Sequence, residues 1–333
     1  MFRIVIIAFF LPLMLFSASN NWMEHYGNAI ADKPLNQLIL PGTHDSGTYQ
    51  LTNEIAKNQD ISDKINKLKY IGVGFIVNSV IKKWSKTQDK NIYDQLKSGV
   101  RYLDLRLSYW DDKNDFYVTH GLFGPKFSDV AAQISRFLNE NPKEILVIQI
   151  GDMNYLGVES KAQSNQEKLI KFIESTFKGK LAQKSKIAGP ISMVRDFWKN
   201  GYQIFLIYKD KEMSNQSDVL WHRKSVIDNY WPNVDNADQL KKKLDEHMNK
   251  RTANNNGEKF YVVQSQVTAN NKTIENGLNP LSSKPKSLED LAKIVNAKFP
   301  AWLNEWATRN PNIIITDFTS SKMAQAIYEL NKN

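Results

Sequence analysis

The sequence predicts an α/β fold closed as an eight-unit parallel barrel. Three features of its 333 residues support this: short apolar runs, helical segments between them, and polar residues just past the runs. The runs cover 38–40, 100–107, 116–119, 145–150, 204–208, 226–227, 260–267 and 313–316. Near-continuous apolar strands joined by helices imply a parallel sheet covered on its faces, and eight such units suggest closure into a barrel. An open doubly wound sheet usually carries a glycine-rich turn after its first strand, and none follows residue 40.

Helices are signalled by caps and spacing. Ser128 leads Val130, Ile134, Phe137 and Leu138, which share one face. Ser164 with Glu167 reads as a capping box before Leu169, Ile170, Ile173 and Phe177, and Ser287 with Asp290 repeats the device before Leu291, Ile294 and Val295. Residues 53–92 form a long connection between the first two strands, and 248–259 and 268–286 are expected to be Asn-, Lys- and Ser-rich loops. With no internal repeat and no linker between two cores, residues 20–333 read as one domain.

Composition narrows the chemistry. A chain 41% hydrophobic and 24% charged is neither disordered nor fibrous. The absence of cysteine removes thiol nucleophiles, thiolate zinc sites and redox switching. The net charge of +9 is mostly lysine scattered along the chain, with no basic run interleaved with aromatics, so no nucleic acid is expected as partner. An anionic membrane surface fits that charge better. Residues 1–19 read as a signal peptide: Arg3, an apolar run over 4–16 broken by Pro12, then the small residues Ser17, Ala18 and Ser19. That run falls short of the ~20 residues that span a bilayer. Cleavage near Asn20 and a secreted or periplasmic location are expected.

Residues past the strand ends of a parallel barrel converge on one mouth. Here they are His44 and Asp45, then Asp104 and Arg106 on the second strand, His120 after the third, Asp152, Lys209 and Asp210, Asp228 and Tyr230, and Asp317. Two histidines with an arginine between them suit phosphodiester cleavage. One imidazole removes a proton from the attacking hydroxyl, the other protonates the leaving oxygen, and the guanidinium meets the charge building on phosphorus. His247 lies in a helix with Leu240, Leu244 and Met248 and reads as packing or surface; His25 and His222 carry no supporting pattern.

The ordered motifs Leu40-Pro41-Gly42-Thr43-His44-Asp45-Ser46-Gly47-Thr48-Tyr49, Gly99-Val100-Arg101-Tyr102-Leu103-Asp104-Leu105-Arg106 and Val118-Thr119-His120-Gly121-Leu122 resemble the X domain of phosphatidylinositol-specific phospholipase C. The likeness is to single-domain bacterial enzymes and X-domain-only proteins. It is dense over 36–150, including Trp84 and Gln88, and its last clear stretch is 312–318. The resemblance implies a distorted TIM barrel and cleavage by intramolecular transesterification, giving diacylglycerol and a cyclic inositol phosphate. On that likeness His44 is the general base, His120 the general acid and Arg106 the phosphate clamp. Asp45 assists the leaving-group side, Asp317 orients His44, and Asp104 matches a family carboxylate, although it equally reads as a partner for Arg101. Lys209, Asp228 and Tyr230 are the candidates for the head group.

Calcium-dependent members place an asparagine beside the first histidine and acidic residues on the second strand. Asp45 and Arg106 stand here instead, so no metal and no other cofactor is expected. A stretch over 71–84 ending in Lys82, Lys83 and Trp84 could lie on a phospholipid surface as an amphipathic helix, or pack on its own barrel. A monomer is expected. Competing readings are a phosphodiesterase for another phospholipid head group, a catalytically silent lipid-binding X-domain protein, and a metal-dependent glycerophosphodiesterase-like barrel, which Arg106 disfavours.

Overall fold

The structure, a computed structural model, describes residues 19–57, 74–253, 257–279 and 281–332. Residues 1–18 of the expected leader lie outside them, as do 71–73 of the possible interfacial segment.

Ten strands form one sheet: β1 Leu40–Thr43, β2 Tyr102–Trp110, β3 Asp115–His120, β4 Leu122–Lys126, β5 Leu146–Tyr155, β6 Ile204–Tyr208, β7 Leu220–His222, β8 Ile227–Tyr230, β9 Phe260–Gln264 and β10 Ile313–Thr316. Eight are joined in the order β7-β6-β5-β2-β1-β10-β9-β8, every neighbouring pair parallel. Among the described residues no ladder joins β7 to β8, which are linked by the short helix Arg223–Val226, so the barrel is a ring with one open seam.

Two expectations about the strands are corrected. The run over 116–119 is no barrel strand: β3 pairs antiparallel with β2 and then with β4. The eighth barrel strand is instead β7, three residues long and too short to leave a periodic signal. Strand direction is likewise not written in an apolar run, and only the short connection Asp111–Lys113 favours a hairpin over a crossover.

Side-chain alternation along the strands sorts the core. Leu40, Tyr102, Val147, Phe205, Ile207, Ile227, Val262 and Ile315 pack together inside the barrel. Leu103, Leu105, Ile148 and Leu206 face outward beneath helix Phe127–Glu140, and Tyr261, Val263 and Ile314 face outward beneath Ala237–Ala253 and Leu288–Trp306. Ser287 caps the last of these, its side chain accepting from the Asp290 N–H, a contact worth about 1 kcal/mol. Ser164 caps nothing. It sits inside helix Glu159–Thr176 and donates to the Lys161 carbonyl. The expected loops are also partly helical, because Ala237–Ala253 runs through 248–253 and Asn271–Leu278 occupies part of 268–286.

Candidate active site

The turn after β1 puts His44 and Asp45 at the barrel mouth. Asp45 has φ +43°, in the left-handed region that Asp and Asn tolerate better than most residues. Gly47 completes the turn where a Cβ would stand 2.5 Å from the Val118 side chain, so the β3 hairpin closes down on it. That hairpin delivers the second histidine. β2 extends beyond the rim and β3 returns, bringing His120 back to mouth level two residues past the Leu107–Val118 pair. Asp104 and Arg106 share the inward parity of Tyr102 on β2, and Asp317 follows β10 with the inward parity of Ile315.

These six side chains meet. The His44 and His120 ring centroids are 6.4 Å apart with planes at 75°. Asp317 Oδ1 lies 2.8 Å from His44 Nδ1, which makes Nδ1 the protonated nitrogen and leaves Nε2 facing the cleft. The Ser85 carbonyl does the same for His120, 2.7 Å from its Nδ1. Asp45 Oδ2 stands between the rings, 3.3 Å from His44 Nε2 and 3.4 Å from His120 Nε2, while its Oδ1 takes Arg106 Nε at 2.5 Å. Arg106 Nη2 lies 3.2 Å from His44 Nε2 and 3.7 Å from Asp104 Oδ2. Asp104 also accepts from Gln149 Nε2 at 3.3 Å.

Charge explains the titration of the cluster. Burial pulls the His44 pKa down, but the carboxylates of Asp45 and Asp317 outweigh it and push it up to about 9. Asp45 is held below the ordinary carboxylate range: burial opposes this, and Arg106 and the two histidines overcome it. Asp104 is raised, chiefly by burial and by its neighbour Asp45 against the pull of Arg106. His44 Nε2 therefore stands between a carboxylate that favours its proton and a guanidinium that favours its lone pair. His44, Asp45 and Asp104 are also the one acidic and imidazole group among the described residues able to hold a cation. Their atoms converge on Arg106, which already supplies positive charge there.

The head-group candidates divide. Lys209 has inward parity and pairs with Asp152 on the rim at 2.9 Å. Asp228 and Tyr230 do not face the mouth. They are in register with Tyr261 and Val263, whose side chains point outward. Tyr230 stacks on His247 with centroids 4.3 Å apart, and Asp228 lies 3.9 Å from His247 Nε2. In a strand a one-residue misreading exchanges the faces. The inward residue at the mouth end of β8 is Asn229, which accepts from Gln264 Nε2 at 2.6 Å, and Gln264 in turn accepts from Gln266. Asp104 does not partner Arg101, which is buried at the other end of the barrel on Glu144. Sequence reasoning missed Ser85, Thr87 and Gln149, whose roles rest on backbone contacts or on amides that no spacing rule marks.

Residues 77–195 match the family model described as phosphatidylinositol-specific phospholipase C, X domain. This segment is similar to the phosphatidylinositol-specific phospholipase C X domain. The mouse PI-PLC X domain-containing protein 2 is 29% identical, the match covering 93% of this chain and 87% of that protein. The human PI-PLC X domain-containing protein 1 is 27% identical over 91% and 88%. In structure, the phosphatidylinositol-specific phospholipase C of Listeria monocytogenes superposes with a TM-score of 0.66 at 19% identity, covering 95% of this chain and 100% of that one. The Staphylococcus aureus phosphatidylinositol-specific phospholipase C gives 0.64 at 17%, over 95% and 98%. The X-domain fold is therefore a TIM-type barrel with its sheet curled and unclosed at one seam.

Proposed function

We propose that this protein is an exported, monomeric, metal-independent phospholipase C that cleaves phosphatidylinositol or a related lipid. In its neutral form, which gains population as pH rises toward 9, His44 Nε2 takes the proton of the inositol 2-hydroxyl and the resulting alkoxide attacks phosphorus. The bond from phosphorus to the diacylglycerol oxygen breaks, and His120 Nε2 protonates that oxygen. Arg106 neutralises the charge gathering on the phosphoryl oxygens, the task a bound cation performs elsewhere. Asp317 fixes the ring of His44, and Asp45 pairs with Arg106 and assists His120 on the leaving-group side. The observation that carries this reading is the pair of Nε2 atoms, each within 3.4 Å of one Asp45 oxygen, with Arg106 beside them.

Phosphorus NMR with phosphatidylinositol vesicles in chelator tests the reaction and the metal together. A cyclic phosphodiester signal from the wild type and none from His44→Ala is the expected result, and dependence on added Ca²⁺ would defeat the metal-free mechanism.

The substrate lies in a bilayer, and the rim suits one. Of the six large hydrophobic side chains exposed among the described residues, Val158, Trp231, Leu278 and Leu281 follow β5, β8 and β9 on the mouth side, Leu281 at 95% exposure. By contrast Ile81, within the helix Gly74–Lys83, packs with Leu51 and Leu122. Docking on phospholipid is thus assigned to the rim loops. Replacing Trp231 and Leu281 by Ser should abolish vesicle binding at unchanged melting temperature; retained binding would return the role to residues 74–84. Export predicts that the chain recovered outside the cytoplasm begins at Asn20, which N-terminal sequencing checks.

A further inference from the structure

The loop after helix Gly74–Lys83 supplies no reacting group, yet it touches both catalytic histidines. Its Ser85 carbonyl orients His120. Two residues later, Thr87 Oγ1 donates to the His44 carbonyl at 3.0 Å. Gln88 is 1% exposed, and its Nε2 donates to the carbonyls of His44 at 3.0 Å and Thr316 at 2.9 Å, while its Oε1 accepts from the Thr319 N–H at 3.2 Å. The β1–β10 ladder ends at the Thr43–Thr316 pair, followed by one bond from the His44 N–H to the Thr316 carbonyl. Gln88 thus continues the ladder by one step beyond that bond, beside Thr87, whose carbonyl accepts from the Phe318 N–H at 2.6 Å.

We propose that Gln88 is a positioning residue that sets the His44–Asp317 hydrogen bond by clamping the ends of β1 and β10 together. The charged and titratable groups facing His44 are Asp45 from its own turn, Asp104 and Arg106 from β2, His120 from β3 and Asp317 from β10. None of them receives a hydrogen bond from the Gln88 side chain. A change in His44 on replacing Gln88 therefore reports geometry rather than a lost charge. With the Gln88 donors removed, both carbonyls lose a partner in a water-poor site.

The test rests on the function proposed above only for its kinetic arm. In the full chain, the imidazole Nδ1 proton and the titration of His44 are followed by NMR in wild type, Gln88→Met and Gln88→Glu, with the melting temperature recorded for each. Gln88→Met keeps the length and loses both donors. It should broaden the Nδ1 proton, lower the His44 midpoint by about half a unit or more, and reduce kcat/KM on a soluble inositol phosphodiester about ten- to a hundred-fold. Gln88→Glu, kept neutral by burial, retains one donor and should recover most of the proton signal. A folded Gln88→Met with an unchanged Nδ1 proton and midpoint overturns the proposal. If that variant does not fold, Thr87→Val removes the neighbouring donor to the same carbonyl and must move the same proton, or the proposal falls. A wild type without turnover would defeat the phospholipase reading alone, leaving the NMR arm intact.

Discussion

β2 and the residue just before it carry two arginines five positions apart, and their surroundings are opposites. Arg101, at the floor of the barrel, is fully buried and saturated. Nε donates to Glu144 at 2.7 Å, Nη1 to the Leu96 and Val100 carbonyls, and Nη2 to the Asn20 carbonyl at 2.7 Å, while Glu144 also accepts the backbone N–H groups of Met23 and Glu24. Arg106, at the mouth, shares two carboxylates and a histidine and leaves 27% of its side chain exposed. A guanidinium with every donor used holds a structure together; one with donors to spare can receive a phosphate.

The largest effect expected is at the mouth. His44→Ala and His120→Ala should each lower turnover by roughly a hundred- to ten-thousand-fold while both variants remain folded, measured with phosphatidylinositol in mixed micelles. A loss of folding in both would make the mouth a structural centre like the floor. Arg101→Met should do the reverse. It strands Glu144 in the interior and costs about 3–5 kcal/mol of stability, read by urea denaturation, while the folded fraction keeps its activity.

A smaller and more specific signal comes from pH. His44 titrates near 9 in the fold against its ordinary 6.5. Its contribution to stability is therefore complete below about 6.5 and is lost as pH rises through about 9. The melting temperature should fall between pH 7 and pH 10, and that part of the fall should vanish in His44→Ala; an identical profile in the variant would show that the two carboxylates do not hold the charged ring. The smallest effect is expected of Asp104→Asn. Burial and the neighbouring Asp45 raise its pKa against the pull of Arg106, so the amide should cost less than about 1 kcal/mol and leave turnover within a few-fold.

How far the sequence could be read follows from these same elements. The inward residues of β1, β2 and β10 could be counted because each strand lies beside a motif that anchors its register. β8 has no anchor, so Asp228 and Tyr230 were assigned to the mouth when Asn229 is the residue that faces it. The sequence puts His120 at the end of a third parallel strand, whereas in the structure it ends a returning antiparallel hairpin. Gln88 stood in the resemblance without a role, because a role made of backbone carbonyls has no sequence pattern. The saturation of Arg101 was invisible for the same reason: Glu144, Asn20 and the N–H groups of Met23 and Glu24 come together only in three dimensions.

The unbonded joint between β7 and β8 has a mechanical meaning. In the path of strands around the ring, β2, β1 and β10 lie in the middle and the joint at the two free ends. A hoop cut at one point can widen there without breaking any rung, and the strain it feels dies away toward the side opposite the cut. His44 and Asp317 lie at the ends of strands in that stiff arc, while Lys209 after β6 and Asn229 on β8 lie toward the cut. On the function proposed above, substitutions near the cut would alter residues beside Lys209 and Asn229 while leaving the backbone around His44 and Asp317 in place.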